Sequence, residues 1–248
     1  MNISTRPVVS RAAVAVAFTA VLSLGSAAAA DESQGWKGEG GLTLTADENN
    51  KVDAYISHAR QAERTISVQV RTAAALSGAE IIGFDQRLKS PDSLKRKVAT
   101  ALVGKSGSNV DTVLAGITDA VRYTVQWQDA AYTVGVDDVS NTLDAFGNDS
   151  TKWSNTWGSA NGYKGLNTGW RAPRSGQLFE IQFHTPASKH AQEATHKLYE
   201  EQRLPSTSAA RKQQLQREQD AIFGAVPVPS GAESLTAPGA VRTLPAPA

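Results

Sequence analysis

From Phe179 to Thr185 the chain reads Phe-Glu-Ile-Gln-Phe-His-Thr, a strict alternation of large apolar and polar side chains. Period two is the signature of a β-strand, so Phe179, Ile181 and Phe183 share one face, and Leu178, Glu180, Gln182 and His184 share the other. The apolar face has to be covered by another layer. The opposite face sets a carboxylate, an amide and an imidazole in one row. Polar groups in such a row cost free energy unless they meet one another or a ligand. Few other segments constrain the fold as strongly.

The alternation places this strand in a globular domain, and the N-terminus says where the domain is expected to work. Arg6 and Arg11 precede an apolar or small-residue run from Ala12 to Leu24, and Ala28-Ala-Ala30 offers a cleavage site before Asp31. Residues 1–30 are therefore expected to be a signal peptide, and the protein is expected to be secreted, with no membrane span in the mature chain. The full chain has 25 Lys+Arg and 24 Asp+Glu. Loss of Arg6 and Arg11 leaves 23 against 24, a near-neutral balance that argues against a nucleic-acid coat. The chain has no cysteine, which excludes thiolate metal sites and Cys nucleophiles. Stability has to come from a packed core rather than from disulfides.

Along the mature chain, apolar positions among charges between Asp53 and Ser77 indicate helix, and Ile81-Ile-Gly-Phe84 a short strand. Ser90-Pro-Asp-Ser93 is a helix start running to about Val103. Ala115–Trp127 reads as a strand, Val134–Phe146 as a helix, and Trp153–Trp157 and Tyr163–Trp170 as neighbouring strands. Pro186 opens a helical pair at 187–203 and 207–223. The fold class expected is α/β or α+β, with a single mixed sheet of about five strands flanked by helices. The domain is expected to span 31–223, with 224–248 a disordered tail rich in Pro, Ala and Gly.

Three segments carry candidate chemistry. Arg87-Leu-Lys-Ser-Pro-Asp-Ser-Leu-Lys-Arg-Lys97 packs five cations into eleven residues around a helix start, a place where amides and cations can meet a polyphosphate. The same run suits a solvated helix face. Asp119 and Glu180 stand in or beside apolar runs, and two strand-borne carboxylates suit Mg2+ and a hydroxyl-directed base. Either acid equally suits a buried salt bridge. Tyr163, after Asn161-Gly162, suits a stacking platform for a base or a plain rim residue. His184, His190 and His196 lack zinc-site spacing.

In this order the segments resemble the synthetase domain of the RelA/SpoT alarmone family over roughly residues 50–203. The pattern R-x-K-S-x-x-S-x-x-R-K is matched by Arg87, Lys89, Ser90, Ser93, Arg96 and Lys97; the aspartate strand by Ile117-Thr-Asp119. The N-G-Y-x-S-L-H and E-I-Q-x-R-T elements are similar to Asn161-Gly-Tyr163-Lys-Gly-Leu-Asn167 and Glu180-Ile-Gln-Phe-His-Thr185. Gly165, Asn167, His184 and Ser159 replace the family's serine, histidine, arginine and lysine. With the export signal the chain looks most like the secreted ATP:nucleotide 3′-pyrophosphokinases of this group.

The resemblance implies a nucleotidyltransferase-like synthetase fold and transfer of the β,γ-pyrophosphate of ATP to the ribose 3′-hydroxyl of a purine nucleotide. It implies Mg2+ on Asp119 and Glu180, the catalytic pair, and ATP on Arg87, Lys89, Ser93, Arg96, Lys97 and Arg122. The acceptor would meet Tyr163, Asn161, Asn167, Gln182 and His184. No hydrolase motif of the family is present, so synthesis without the reverse hydrolysis is expected, by a monomer that binds neither nucleic acid nor membrane. The alternative is a secreted, toxin-like protein that binds or hydrolyses nucleotides in the same pocket.

Overall fold

The computed structural model describes residues 34–104, 107–204 and 206–239. The expected signal peptide lies outside the described residues, as do 240–248. Most helices and strands follow the order anticipated; the N-terminal hairpin, the short helix Val110–Ala115 and the segment after Gly224 are additions. A two-stranded hairpin, β1 (Trp36–Lys37) and β2 (Thr43–Leu44), leads into α1 (Ala46–Leu76). Thr45 caps α1 in a capping box with Glu48, which satisfies amides that the first turn leaves free. Next come β3 (Glu80–Ile82), α2 (Pro91–Gly104), α3 (Val110–Ala115), β4 (Arg122–Gln126), α4 (Asp129–Ala145), β5 (Asp149–Asn155), β6 (Leu166–Arg171) and β7 (Leu178–His184). The pair α5 (Pro186–Arg203) and α6 (Ala209–Gly224) completes the order. No helix among the described residues is long and apolar enough to cross a membrane.

Five strands form one mixed sheet in the order β3-β4-β7-β6-β5, with β4 and β7 parallel and the other pairs antiparallel. The expected α+β architecture is therefore present. Register sorts the two faces. Thr168, Ile181 and Tyr123 lie side by side, as do Leu166, Phe183 and Val125. These rows are buried against the helical layer: Tyr123 hydrogen-bonds Ser67 of α1, and Tyr132 of α4 donates to the Phe183 carbonyl. The opposite face carries Lys152, Gly169, Glu180 and Arg122 in one row and Ser154, Asn167, Gln182 and Thr124 in the next. The row anticipated on β7 is thus one line of a largely polar sheet face, with Leu178 and Ile82 at its margins.

Three expectations are corrected. Ala115–Trp127 is not one strand: the helix α3 ends at Ala115, Gly116–Ala120 turn, and Asp119 stands in that turn before β4. The strand read at Tyr163–Trp170 begins only at Leu166, because Gly162 and Gly165 keep the preceding loop out of the ladder. The segment 225–239, read as part of a disordered tail, packs on the domain. Val226, Ala232 and Leu235 are buried, Trp153 Nε1 donates to the Leu235 carbonyl at 3.0 Å and Asn155 Nδ2 to the Ala232 carbonyl at 2.8 Å. Isolated apolar residues spaced by Pro and Gly have no period, yet the segment is held against β5 and, through Thr133 and the Ser230 carbonyl, against α4.

Candidate active site

The open end of the polar face is bordered by the start of α2 and the turn before β4. Lys89 N–H donates to the Ala120 carbonyl and Arg122 N–H to the Arg87 carbonyl, so the cationic segment lies alongside the Asp119 turn. Lys89 Nζ reaches Asp119 Oδ2 at 2.9 Å, and Lys97 Nζ reaches Oδ1 at 2.6 Å. Burial pushes the Asp119 carboxyl up, but the hydrogen bonds from Lys97 and Lys89 outweigh it and hold it down at about 2.

Glu180 is partly buried beside this cluster, with Arg122 its register partner on β4 and side-chainless Gly169 its partner on β6. Gln182 Nε2 donates to Glu180 Oε1 at 2.8 Å, and Gln192 of α5 donates in turn to Gln182 at 3.2 Å. Burial raises the Glu180 pKa; Arg122 opposes this, while the nearby Asp119 charge adds to it. The Asp119 charge is thus felt at Glu180.

The donor-side residues divide. Lys89 and Lys97 meet at Asp119, and Arg122 opens onto the same region, exposed at the start of β4. Ser93 sits on the first turn of α2, accepting a hydrogen bond from Ser90. Arg87 stacks on Phe84 at 4.2 Å, with its Nε donating to the buried carboxylate of Glu63 at 2.5 Å. Arg96 is not brought to Asp119; it pairs with Asp92 and with Glu39 beside the N-terminal hairpin.

On the acceptor side the placement differs from the exposed strand anticipated for Tyr163. Tyr163 is partly buried in the loop before β6, with its hydroxyl turned inward to Asn167 Oδ1 at 3.1 Å and His184 Nε2 at 2.9 Å. His184 is fully buried, so it shapes the pocket from behind rather than lining it. Gln182 is likewise buried, beside Glu180 on the same face of β7. Asn161 is exposed in the loop and is not joined to the others.

Sequence reasoning missed Glu63, Lys152, Ser188 and Gln192. Lys152 is a lone cation in a polar segment, and only the register with Gly169 and Glu180 puts it on the site's face. Glu63 looks like any charge on α1 until Arg87 is placed against it.

The donor set suits Mg2+. Asp119 and Glu180 supply the hard carboxylate oxygens that Mg2+ takes alongside phosphate oxygens and water. Among the described residues no group of three or more His, Cys, Asp or Glu converges.

No family model matches the sequence, and no curated protein matches it. Among solved structures, the chain is similar to the small alarmone synthetase 1 from Bacillus subtilis bound to its product pppGpp, at TM-score 0.48 and 17% identity, covering 70% of this chain and 91% of that one. It is similar also to a GTP pyrophosphokinase family protein from Streptococcus pneumoniae, at TM-score 0.40 and 18% identity, covering 73% and 90%. At scores below 0.5 these likenesses leave function to be read from the site residues themselves.

Proposed function

We propose that the protein is a secreted, Mg2+-dependent pyrophosphotransferase that moves the β,γ-pyrophosphate of ATP to the ribose 3′-hydroxyl of a purine nucleotide. The observation that carries this reading is the convergence of Asp119 and Glu180 with Lys89, Lys97 and Arg122 at one end of a polar sheet face. The ordered motif set in the sequence names the same residues.

Each residue has a physical role. Lys89, Lys97 and Arg122 hold the triphosphate; the two lysines exchange part of their hold on Asp119 for phosphate oxygens, which they can follow as charge moves. Arg87, fixed on Phe84 and Glu63, presents a guanidinium plane to the adenine. Asp119 and Glu180 are the residues that would hold Mg2+, which when bound neutralises charge on the β- and γ-phosphates. Glu180, with its pKa raised by burial, takes the 3′-hydroxyl proton as the oxygen bonds to the β-phosphorus and AMP departs. Tyr163 offers its ring to the acceptor base while its hydroxyl stays anchored. Asn167 and the buried Gln182 form a neutral edge to this side of the site with no charge to choose one purine over the other, so adenine and guanine nucleotides are both expected acceptors.

The test is incubation with ATP, Mg2+ and GDP, ADP or a pyrimidine nucleotide, followed by separation of products. AMP with a 3′-pyrophosphorylated purine nucleotide is expected. Free pyrophosphate or phosphate without transfer would replace the reading with hydrolysis, and unchanged ATP would reduce it to binding. Recovery of processed protein starting near Asp31 from culture medium checks export.

A further inference from the structure

We infer that His184 is a positioning residue: it ties the Tyr163 hydroxyl to Ser188, so the first turn of α5 sets the angle at which the Tyr163 ring meets a base. This rests on the reading of Tyr163 as the acceptor platform.

The chain of contacts is continuous. Thr185 and Ser188 form a capping box at the start of α5: Ser188 N–H donates to Thr185 Oγ1 at 3.2 Å, and Thr185 N–H donates to Ser188 Oγ at 3.0 Å. Ser188 Oγ lies 2.8 Å from His184 Nδ1, and His184 Nε2 lies 2.9 Å from the Tyr163 hydroxyl. Asn167 holds the same hydroxyl from β6. The ring of Tyr163 meets His184 and Phe223 edge to face, each at 5.6 Å between centroids.

Two further observations show that this arrangement is built. A Cβ at position 165 would lie 2.7 Å from the Tyr163 hydroxyl and 2.8 Å from Cζ, so the inward fold of Tyr163 and glycine at 165 require each other. Burial, with the Lys189 and Arg122 charges, holds the His184 pKa down at about 3, so the imidazole is neutral with one donor and one acceptor. Of Tyr163 and Ser188, one therefore donates to the ring and the other accepts from it. The chain ends on two residues of the acceptor side and touches none of the donor cations through a hydrogen bond.

The experiment measures binding of GDP and of a non-hydrolysable ATP analogue by calorimetry, for wild type, Tyr163→Phe, His184→Phe and the double variant. Each single change is expected to weaken GDP about tenfold while the analogue stays within about twofold. The double variant should be no weaker than either single, because both break one linkage. Unchanged GDP affinity in Tyr163→Phe, additive losses, or equal losses for both ligands would overturn the inference. Tyr163→Phe removes one oxygen from a partly exposed loop residue, so it decides the matter even if His184→Phe does not fold. A wild type that binds GDP but transfers nothing sinks the proposed reaction and leaves this inference to the binding data. One that binds no purine nucleotide overturns both.

Discussion

The two halves of the site are built from opposite materials. The donor half is ionic and open, with Lys89, Lys97 and Asp119 in mutual contact and Arg122 exposed beside them. The acceptor half is neutral and packed, with Gln182 and His184 buried, and Asn167 and Tyr163 joined by hydrogen bonds. The difference follows from what each half is asked to hold. A triphosphate brings charge that moves during transfer, and mobile cations can follow it. A base is flat and nearly neutral, and what it needs is a surface that does not move.

The largest expected effect lies where the halves join. Asp119→Asn and Glu180→Gln should each cut pyrophosphotransfer by about 10^3-fold or more with the fold intact, since an amide holds Mg2+ poorly. Wild-type turnover in either variant would return that acid to a structural salt bridge. Next in size, truncation after Gly224 should cost roughly 3–5 kcal/mol of stability, because Val226 and Leu235 lose burial and the bonds to Trp153 and Asn155 go with them. The lost segment lies on β5 and follows directly on Phe223, which is retained and packs on Tyr163, so the remaining activity should show a raised KM for acceptor more than for ATP. A melting temperature unchanged by truncation would show that the segment contributes no packing energy.

Tyr163→Ala should cost about 1–3 kcal/mol in kcat/KM for every acceptor while sparing the KM for ATP. Lys89→Ala and Lys97→Ala should do the converse, with kcat/KM for ATP down roughly tenfold each. Crossed effects would erase the division into halves. The last effect is on pH. His184 has a folded pKa near 3 against an ordinary 6.5, so the unfolded chain takes up a proton first as pH falls. Its contribution is fully present above about 6.5 and is lost progressively toward 3. Asp119, held near 2, keeps its contribution above its ordinary 3.8 and loses it only as pH falls through 2. Between pH 6.5 and 4 the wild type should therefore lose more stability than His184→Gln; Glu180 works in the opposite direction but is common to both. Parallel melting curves for the two proteins over this range would show that His184 is protonated in the fold.

The sequence by itself determined what local physics can determine. Alternation marked β7 and its polar face, the proline and serines at 90–93 marked the start of α2, and the density of charge at 87–97 marked the donor half. These signals are short-range, because side-chain direction on a strand and free amides at a helix start repeat with the backbone. The acceptor half depended on the tertiary structure. Tyr163 read as exposed because nothing nearby in sequence says that His184, twenty-one residues on, will take its hydroxyl. Lys152 joined the site only through strand register, and Glu63 only through the placement of α1 against Arg87. The residues after Gly224 carry no period at all, and they are buried and hydrogen-bonded by partners on β5 and α4 that come together only once the domain has folded. Burial and long-range hydrogen bonding are properties of the assembled sheet and its helices, which is why the residues of the neutral half could be named in advance but not their inward orientation and mutual bonding.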